Sequence, residues 1–296
     1  MNKPLHLVTS YIFKVSLLFI LSTSGVFGDT LINQATFEQL NKSQCDELIE
    51  KNIITKNNPV DCTRLSKVNF SYLSDNNIIK TDGEIVVLDT IAPRVALLFD
   101  KLLLKRFYIA KASPVQTYNG DDEASMAANN TSAFNGRAIT SGSKWSLHAY
   151  GAAIDINPIQ NPFIEIFDEG KVQVSPAKSA YKYINRSNNR PHKTKREGMA
   201  EDVVELFAQN GFFIWGGNWS YPIDYQHFQI GPRNFVKILA TKSVKKGRLI
   251  IESYINMYKK CLLNEKNSEN LSTLKTQCKE MVIKSMQNQK KLWNNK

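Results

Sequence analysis

Four cysteines constrain the fold of this 296-residue chain more than any other feature. An even number of cysteines is typical of an exported protein, in which they form disulfides. Three pairings are open. Because the first two and the last two cysteines are each separated by 17 positions, we expect the bonds Cys45–Cys62 and Cys261–Cys278. None of these pairs has the short CxxC spacing of a zinc finger.

The first residues have the pattern of a secretory signal peptide. Lys3 and Lys14 precede an apolar run over residues 15–27, which is too short to span a bilayer comfortably. Small residues follow it, and we predict cleavage after Gly28. An uncleaved N-terminal anchor is the alternative. The mature chain is expected to be exported to the periplasm or to the extracellular side of the cell envelope.

The positive charge of the chain is concentrated at its C-terminal end. The formal net charge is +11, and residues 237–296 alone hold 14 Lys and Arg against 4 Asp and Glu. A nucleic-acid partner is not expected, because this charge lies in an exported tail without aromatic residues interleaved over a basic groove. The tail would instead favour anionic envelope polymers or a membrane surface.

Changes in composition and in apolar patterning along the sequence predict four regions: a signal peptide (1–28), a helical N-terminal cap (29–82), a domain that carries the candidate functional residues (83–236) and a basic helical extension (237–296). In the third region, strand candidates at 84–88, 107–110, 152–156 and 212–215 alternate loosely with helices at 91–104 and 202–209. This pattern is typical of an α+β fold. In the extension, the polar stretch 264–270 joins two helices, and Cys261 and Cys278 flank position 269–270 symmetrically, which predicts a disulfide-pinned helical hairpin.

The predicted mature chain has three histidines, two of which have suggestive neighbours. His192 lies in a basic, loop-like stretch and is interpreted as a surface residue. His148 precedes Asp155 by seven positions, and His227 follows Asp224 by three. Catalytic zinc takes three ligands from histidine and carboxylate, and a metal would neutralise a carboxylate in the apolar strand 152–156. On spacing alone, a salt-bridged Asp155 with structural histidines is the alternative.

Three ordered motifs resemble those of a known family. SLHAYGAAIDINP (146–158) is similar to the Ser-x-His-x-x-Gly-x-Ala-x-Asp signature of the zinc D-alanyl-D-alanine carboxypeptidase family. WGGNWSYPIDYQHFQ (215–229) resembles its second motif, in which an acid-x-x-His pair ends the site. SMAANNTSAFNGRAIT (125–140) is similar to a segment of its L-alanyl-D-glutamate endopeptidase branch, which includes phage endolysins. The resemblance covers residues 83–235, about half of the chain.

The resemblance implies a zinc ion, Zn²⁺, held by His148, Asp155 and His227. It also implies that Asp224 is the general base. Arg137 matches the arginine that faces the scissile carbonyl in this family, and its permanent charge suits the stabilisation of an oxyanion.

Two further residues are expected to contact the substrate or to support the site. Ser146 would hold a polar group of the substrate or orient His148, and Trp219 would line the cleft, with a core position as the alternative. Gly136 stands where many relatives have cysteine, which leaves the packing beside Arg137 open. The family's fold is a small antiparallel sheet with flanking helices, which also resembles Hedgehog signalling domains. It would occupy the zinc peptidase domain predicted over 83–236.

The function that this resemblance implies is that of a metallopeptidase acting on peptidoglycan. We expect a monomeric enzyme that hydrolyses peptide bonds in stem peptides, as a carboxypeptidase or as an L-Ala–D-Glu endopeptidase. The alternative is an inactive, zinc-stabilised module that binds the cell wall or takes part in signalling.

Overall fold

The computed structural model describes residues 34–139, 142–179, 181–264 and 270–288, which combine helices with small sheets, as an α+β fold predicts. The helices have the following bounds: α1 Lys42–Glu50, α2 Ala92–Leu104, α3 Asp122–Ala127, α4 Val204–Gln209, α5 Arg233–Thr241, α6 Val244–Asn264 and α7 Leu271–Asn288. The strands are β1 Thr36–Gln39, β2 Leu65–Leu73, β3 Ile79–Leu88, β4 Lys111–Ala112, β5 Asn130–Thr131, β6 Ala153–Asp155, β7 Phe163–Ile166, β8 Val172–Ser175, β9 Ile214–Trp215, β10 Ile223–Asp224 and β11 His227–Gln229. The predicted signal peptide lies outside the described residues.

The N-terminal sheet has the antiparallel order β1-β2-β3 and packs against α2. The helix forms because its apolar residues recur at helical spacing and make one buried face: Val95, Leu98, Phe99 and Leu102. Phe70 of β2 stacks on Phe99 at 3.7 Å between ring centroids. This contact closes the core between sheet and helix.

The described part of the cap predicted over residues 29–82 contains strands as well as a helix. It contains one α-helix, α1, and a larger number of strand residues, which belong to β1, β2 and the beginning of β3. Lys67 and Asn69 alternate with the buried residues of β2, because one face of this sheet is covered less than the other. Such a polar-spaced strand resembles a loop in the sequence. The predicted boundary at 82/83 falls within β3, so the two predicted regions share one sheet.

The central segments match the prediction except at 107–110 and at 212–215, where only Ile214–Trp215 forms a strand, β9. The candidates at 84–88, 91–104 and 152–156 correspond to β3, α2 and β6. Residues 107–110 do not form a strand; Tyr108 makes only an isolated bridge to Leu73, and the short β4 begins at Lys111. The helix predicted over 202–209 is α4, preceded by a turn of 3₁₀-helix.

Two small antiparallel sheets, of order β6-β11-β9 and β10-β7-β8, follow in the middle of the chain. Strand β11 is central in the first, where Phe228 pairs with Ile154 on one side and with Trp215 on the other. Phe228 is fully buried and stacks on Phe207 of α4 at 3.8 Å. This packing anchors β11 to the core.

The three C-terminal helices pack into the same core. Tyr254 and Tyr258 of α6 are fully buried, and the Tyr258 hydroxyl donates a hydrogen bond to the carboxylate of Glu205 in α4. Phe235 of α5 meets Tyr254 edge to face. The helical C-terminal region is confirmed, although residues 265–269 of the predicted turn lie outside the described residues.

Both expected disulfides, Cys45–Cys62 and Cys261–Cys278, are present. The described residues belong to one compact unit that begins at Asn33. None of the helices in the described part of the chain combines the length and the hydrophobicity that a bilayer crossing requires.

Replacing Cys261 and Cys278 by serine is expected to lower the free energy of unfolding by about 3 kcal/mol. The disulfide restricts the unfolded chain by closing a loop with a sequence separation of 17, and the substitutions remove this restriction. Since α6 and α7 contribute to the common core, urea unfolding followed by circular dichroism and by tryptophan fluorescence should show one shared transition. The Cys45→Ser, Cys62→Ser pair is the matched control, as its separation of 17 residues is the same. An early transition seen by circular dichroism alone would contradict this common core.

Candidate metal centre and active site

Three neighbouring elements bring His148, Asp155 and His227 together. His148 begins a short 3₁₀ turn, which Gly151 ends in the left-handed region with a φ of +62°. A side chain at Gly151 would approach the backbone nitrogen of Leu88 to 2.5 Å, so glycine is required here for space as well as for conformation. The chain then enters β6, where Asp155 lies directly opposite His227 of β11.

The three side chains converge on one point. His148 Nε2 lies 3.2 Å from Asp155 Oδ2, and His227 Nδ1 lies 3.1 Å from Asp155 Oδ1. The two ring nitrogens are 3.1 Å apart. All three side chains are buried. Two imidazoles and one carboxylate are a donor set typical of zinc, so these residues fit a metal ion.

Each histidine has a second contact on the side of its ring that faces away from this point. His148 Nδ1 lies 2.5 Å from the carbonyl oxygen of Ala133. A carbonyl oxygen only accepts hydrogen bonds, so His148 Nδ1 carries the hydrogen and Nε2 keeps its lone pair for the cluster. On His227, Nε2 lies 3.0 Å from the side-chain oxygen of Gln229. The sequence analysis did not identify Gln229, because nothing in its spacing distinguishes it from a core residue.

The electrostatics of the cluster favour a positive charge at its centre. Burial lowers the pKa of His148, but the Asp155 carboxylate more than offsets this effect and the net shift is upward. Burial likewise raises the pKa of Asp155, whereas His148 and His227 together hold it well below its usual range. The buried carboxylate therefore stays ionised only beside a cation, which is what a metal site requires.

Asp224 lies at the end of β10, beside the paired glycines 216 and 217. A side chain at Gly216 would come within 2.5 Å of the Asp224 carbonyl oxygen, so this close approach depends on glycine. Asp224 Oδ1 is shielded from solvent and accepts no hydrogen bond from any residue that the structure describes. Burial, and then the negative charge of Asp155, raise the pKa of Asp224 to about 7. A carboxylate with this pKa is suited to exchange a proton near neutral pH.

Arg137 approaches the cluster from the loop before His148. Its charge lowers the pKa of both His148 and Asp224, so the structure brings it into their vicinity. Its Nη2 donates to Asp122 Oδ2 at 2.5 Å, and its Nη1 donates to the carbonyl of Ala138. Asp122, at the start of α3, was missed by the sequence analysis, because no spacing pattern links it to an arginine 15 residues away.

Ser146 and Trp219 occupy different positions relative to the cluster. Ser146 is buried, and its Oγ accepts a weak hydrogen bond of 3.3 Å from the backbone nitrogen of His148. Of its two predicted roles, this position favours the orientation of His148. The Trp219 ring lies 5.3 Å from the His227 ring, centroid to centroid, and is partly exposed. A role for either residue in substrate binding stays a prediction.

In the metal-free protein, Asp224→Asn is expected to be more stabilising at pH 8 than at pH 5, by about 1–3 kcal/mol. The pKa of Asp224 in the folded chain, about 7, lies above that of an unfolded aspartate, about 3.9. The contribution of Asp224 to stability is therefore complete below about pH 4 and is lost as the pH rises through 7. Asparagine has no charge to lose, so the two proteins should diverge across this range.

Urea unfolding of both proteins in EDTA, at pH 5 and at pH 8, measures this difference. A stability difference that does not change between the two pH values would contradict the raised pKa of Asp224.

Comparison with known proteins finds a family that is similar to the segment around the cluster. Residues 140–230 match the model of the D-alanyl-D-alanine carboxypeptidase family, and this segment contains His148, Asp155, Asp224 and His227. No curated protein and no solved structure matches the chain. Peptidases of the family depend on zinc, in agreement with the potential metal-binding group formed by the two histidines and Asp155. Residues 140–230, about a third of the chain, are thus similar to the D-alanyl-D-alanine carboxypeptidase family.

Proposed function

We propose that the protein is an exported, zinc-dependent peptidase that hydrolyses peptide bonds in the stem peptides of peptidoglycan. The observation that carries this proposal is the convergence of His148, Asp155 and His227, from two paired strands and the turn before them, within the segment that matches a peptidase family. The two disulfides support a location in the periplasm or outside the cell.

A zinc ion held by these three residues would supply a Lewis acid that activates water and polarises the scissile carbonyl. Each protein ligand is oriented for this purpose. His148 Nδ1 is occupied by the Ala133 carbonyl, and Asp155 faces both histidines with its two oxygens. The ligand atoms are therefore preorganised, and the geometry does not depend on a flexible surface loop.

Asp224 is the residue that we assign to proton transfer. Its Oδ1 is shielded and has no hydrogen-bond partner among the described residues, so no existing bond must break before it accepts a proton. Asp224 would take this proton from the attacking water and deliver it to the leaving amine. In the chain without metal, burial and the negative charge of Asp155 raise the pKa of Asp224 to about 7.

Arg137 is the residue that we assign to the oxyanion. A guanidinium stays charged at every physiological pH, and its planar group can donate to a developing negative oxygen. The carboxylate of Asp122 holds one end of this group, whereas Arg137 Nε has no partner among the residues described. We propose that Asp122 limits the directions in which Arg137 can point.

Asp224→Ala is expected to retain zinc and to lose at least 100-fold in the rate of peptidoglycan cleavage, the scale of general acid–base catalysis. His148→Ala should lose the zinc itself. The two variants should differ because the metal ligands and the proposed base are different residues. Metal analysis of the purified proteins, and mass spectrometry of the muropeptides released from digested wall, measure the two properties. The masses also identify the bond that is cut.

His192→Ala is the control. His192 is exposed, so this variant should retain zinc and activity. Full cleavage by Asp224→Ala would overturn the assignment of the base. Zinc binding by the wild type without any released muropeptide would instead favour an inactive, zinc-stabilised module.

Asp122→Asn is expected to lower kcat by about 10-fold and to leave the zinc content unchanged, since it releases Arg137 without touching a ligand. The loss should be smaller than the 100-fold or more expected for Arg137→Ala, which removes an oxyanion donor. Asp121→Asn is the matched control. It removes the same charge one residue earlier, where the Asp121 side chain only caps α3 and asparagine caps equally well. Equal losses in the two variants would mean that local charge, not the contact with Arg137, matters.

A further inference from the structure

Gln229 contacts His227 on the side of the ring that faces away from the metal centre. It lies at the end of β11, two residues after His227, and its side chain is buried. The side-chain oxygen of Gln229 is 3.0 Å from His227 Nε2. Its side-chain nitrogen donates to the carbonyl oxygen of Gly231 at 2.9 Å. The amide of Gln229 is thus held at both ends.

These two contacts determine where the hydrogen of His227 lies. The carbonyl of Gly231 can only accept, so it must face the NH₂ group of Gln229, and the oxygen of Gln229 must face His227. That oxygen also only accepts, so His227 Nε2 carries the hydrogen. In a neutral imidazole the other nitrogen then has the lone pair. This nitrogen, Nδ1, is the one that lies 3.1 Å from Asp155 Oδ1 and from His148 Nε2.

We propose that Gln229 is a positioning residue that fixes the tautomer and the ring orientation of His227, so that Nδ1 is presented to the metal. This inference rests on the metal site of the proposed function and adds a residue to it. In both histidines, the ring nitrogen that faces away from the metal then donates a hydrogen bond. His148 donates to a backbone carbonyl, and His227 donates to the side-chain amide of Gln229, which a backbone carbonyl holds in turn. Such supporting contacts orient a metal-bound histidine and increase its affinity for the metal.

The contacts from His227 through Gln229 end at Gly231, and the C-terminal helices pack against this residue. A side chain at Gly231 would come within 2.7 Å of the Met286 sulfur in α7 and within 2.9 Å of the Phe235 ring in α5. The backbone that carries the Gly231 carbonyl is therefore enclosed by two helices outside the matched segment 140–230. This enclosure keeps the carbonyl in place and, through Gln229, the orientation of His227.

The dissociation constant for zinc, measured on the full chain by competition with a chelator, tests the proposal. Gln229→Leu removes the acceptor and should weaken zinc binding by about 10- to 100-fold. Gln229→Glu keeps an oxygen that accepts the hydrogen of His227 but loses the donor to the Gly231 carbonyl, so its affinity should lie between those of Gln229→Leu and the wild type. Partial recovery by glutamate separates hydrogen-bond acceptance from simple packing.

Gln226→Leu is the matched control. Gln226 is equally buried and directly precedes His227, but its amide contacts the Met126 sulfur and not a ligand. Its zinc affinity should therefore equal that of the wild type. The melting temperature of each protein in EDTA is measured in parallel. A purely structural role for Gln229 would lower this temperature without any change in zinc affinity.

The tautomer of His227 provides a readout that does not depend on the folding of a variant. Nitrogen NMR of the zinc-loaded wild type should show a hydrogen on Nε2 of His227 and none on Nδ1. A hydrogen on Nδ1, or equal zinc affinity of Gln229→Leu and the wild type, would overturn this inference alone. Failure of the wild type to bind zinc would overturn the proposed function together with it.

Discussion

The pairing of Asp155 with His227 across β6 and β11 is the interaction on which the rest of the site depends. A carboxylate buried in an apolar strand is unfavourable unless a positive charge or several hydrogen bonds meet it. The antiparallel register provides this by placing Asp155 opposite His227 and, one residue away, Ile154 opposite Phe228. Side chains alternate between the two faces of a strand, so a slip by one residue would turn the polar pair into the core. The register therefore specifies the core and the candidate metal site together.

The hydrophobic side of this pair explains why the site can be rigid. Phe228 is enclosed by Phe207 of α4 and by Trp215 of the neighbouring strand β9. Trp215 also donates its indole hydrogen to the Tyr225 carbonyl. It thereby holds the turn between Asp224 and His227. The helices after residue 230 extend this core, so that they support the strand that carries His227 although they contain no proposed site residue.

The sequence predicts those parts of the molecule that follow from a local residue pattern, or from a small set of residues that can combine in only a few ways. The helical face of α2, the pairing of four cysteines and the segments around His148 and His227 are of this kind. The contact of Arg137 with Asp122 could not be predicted, because it depends on how a loop folds back over α3 and any acid in that loop would fit the sequence equally well. The strand β2 was missed for a different reason: Lys67 and Asn69 interrupt its buried residues, and asparagine is also typical of turns.

The distribution of hydrogen bonds around the centre distinguishes the groups that we expect to stay fixed from the one to which we assign proton transfer. His148 has the Ala133 carbonyl, His227 has Gln229, and the Arg137 guanidinium has Asp122. Asp224 Oδ1 has no such partner among the described residues. A buried polar atom without a partner is costly, and folded proteins retain few of them. A group that exchanges a proton gains from this arrangement, because a fixed donor on its oxygen would hold it in one protonation state. Because an unpaired oxygen in the core is costly, its presence at Asp224 supports the assignment of Asp224 to proton transfer.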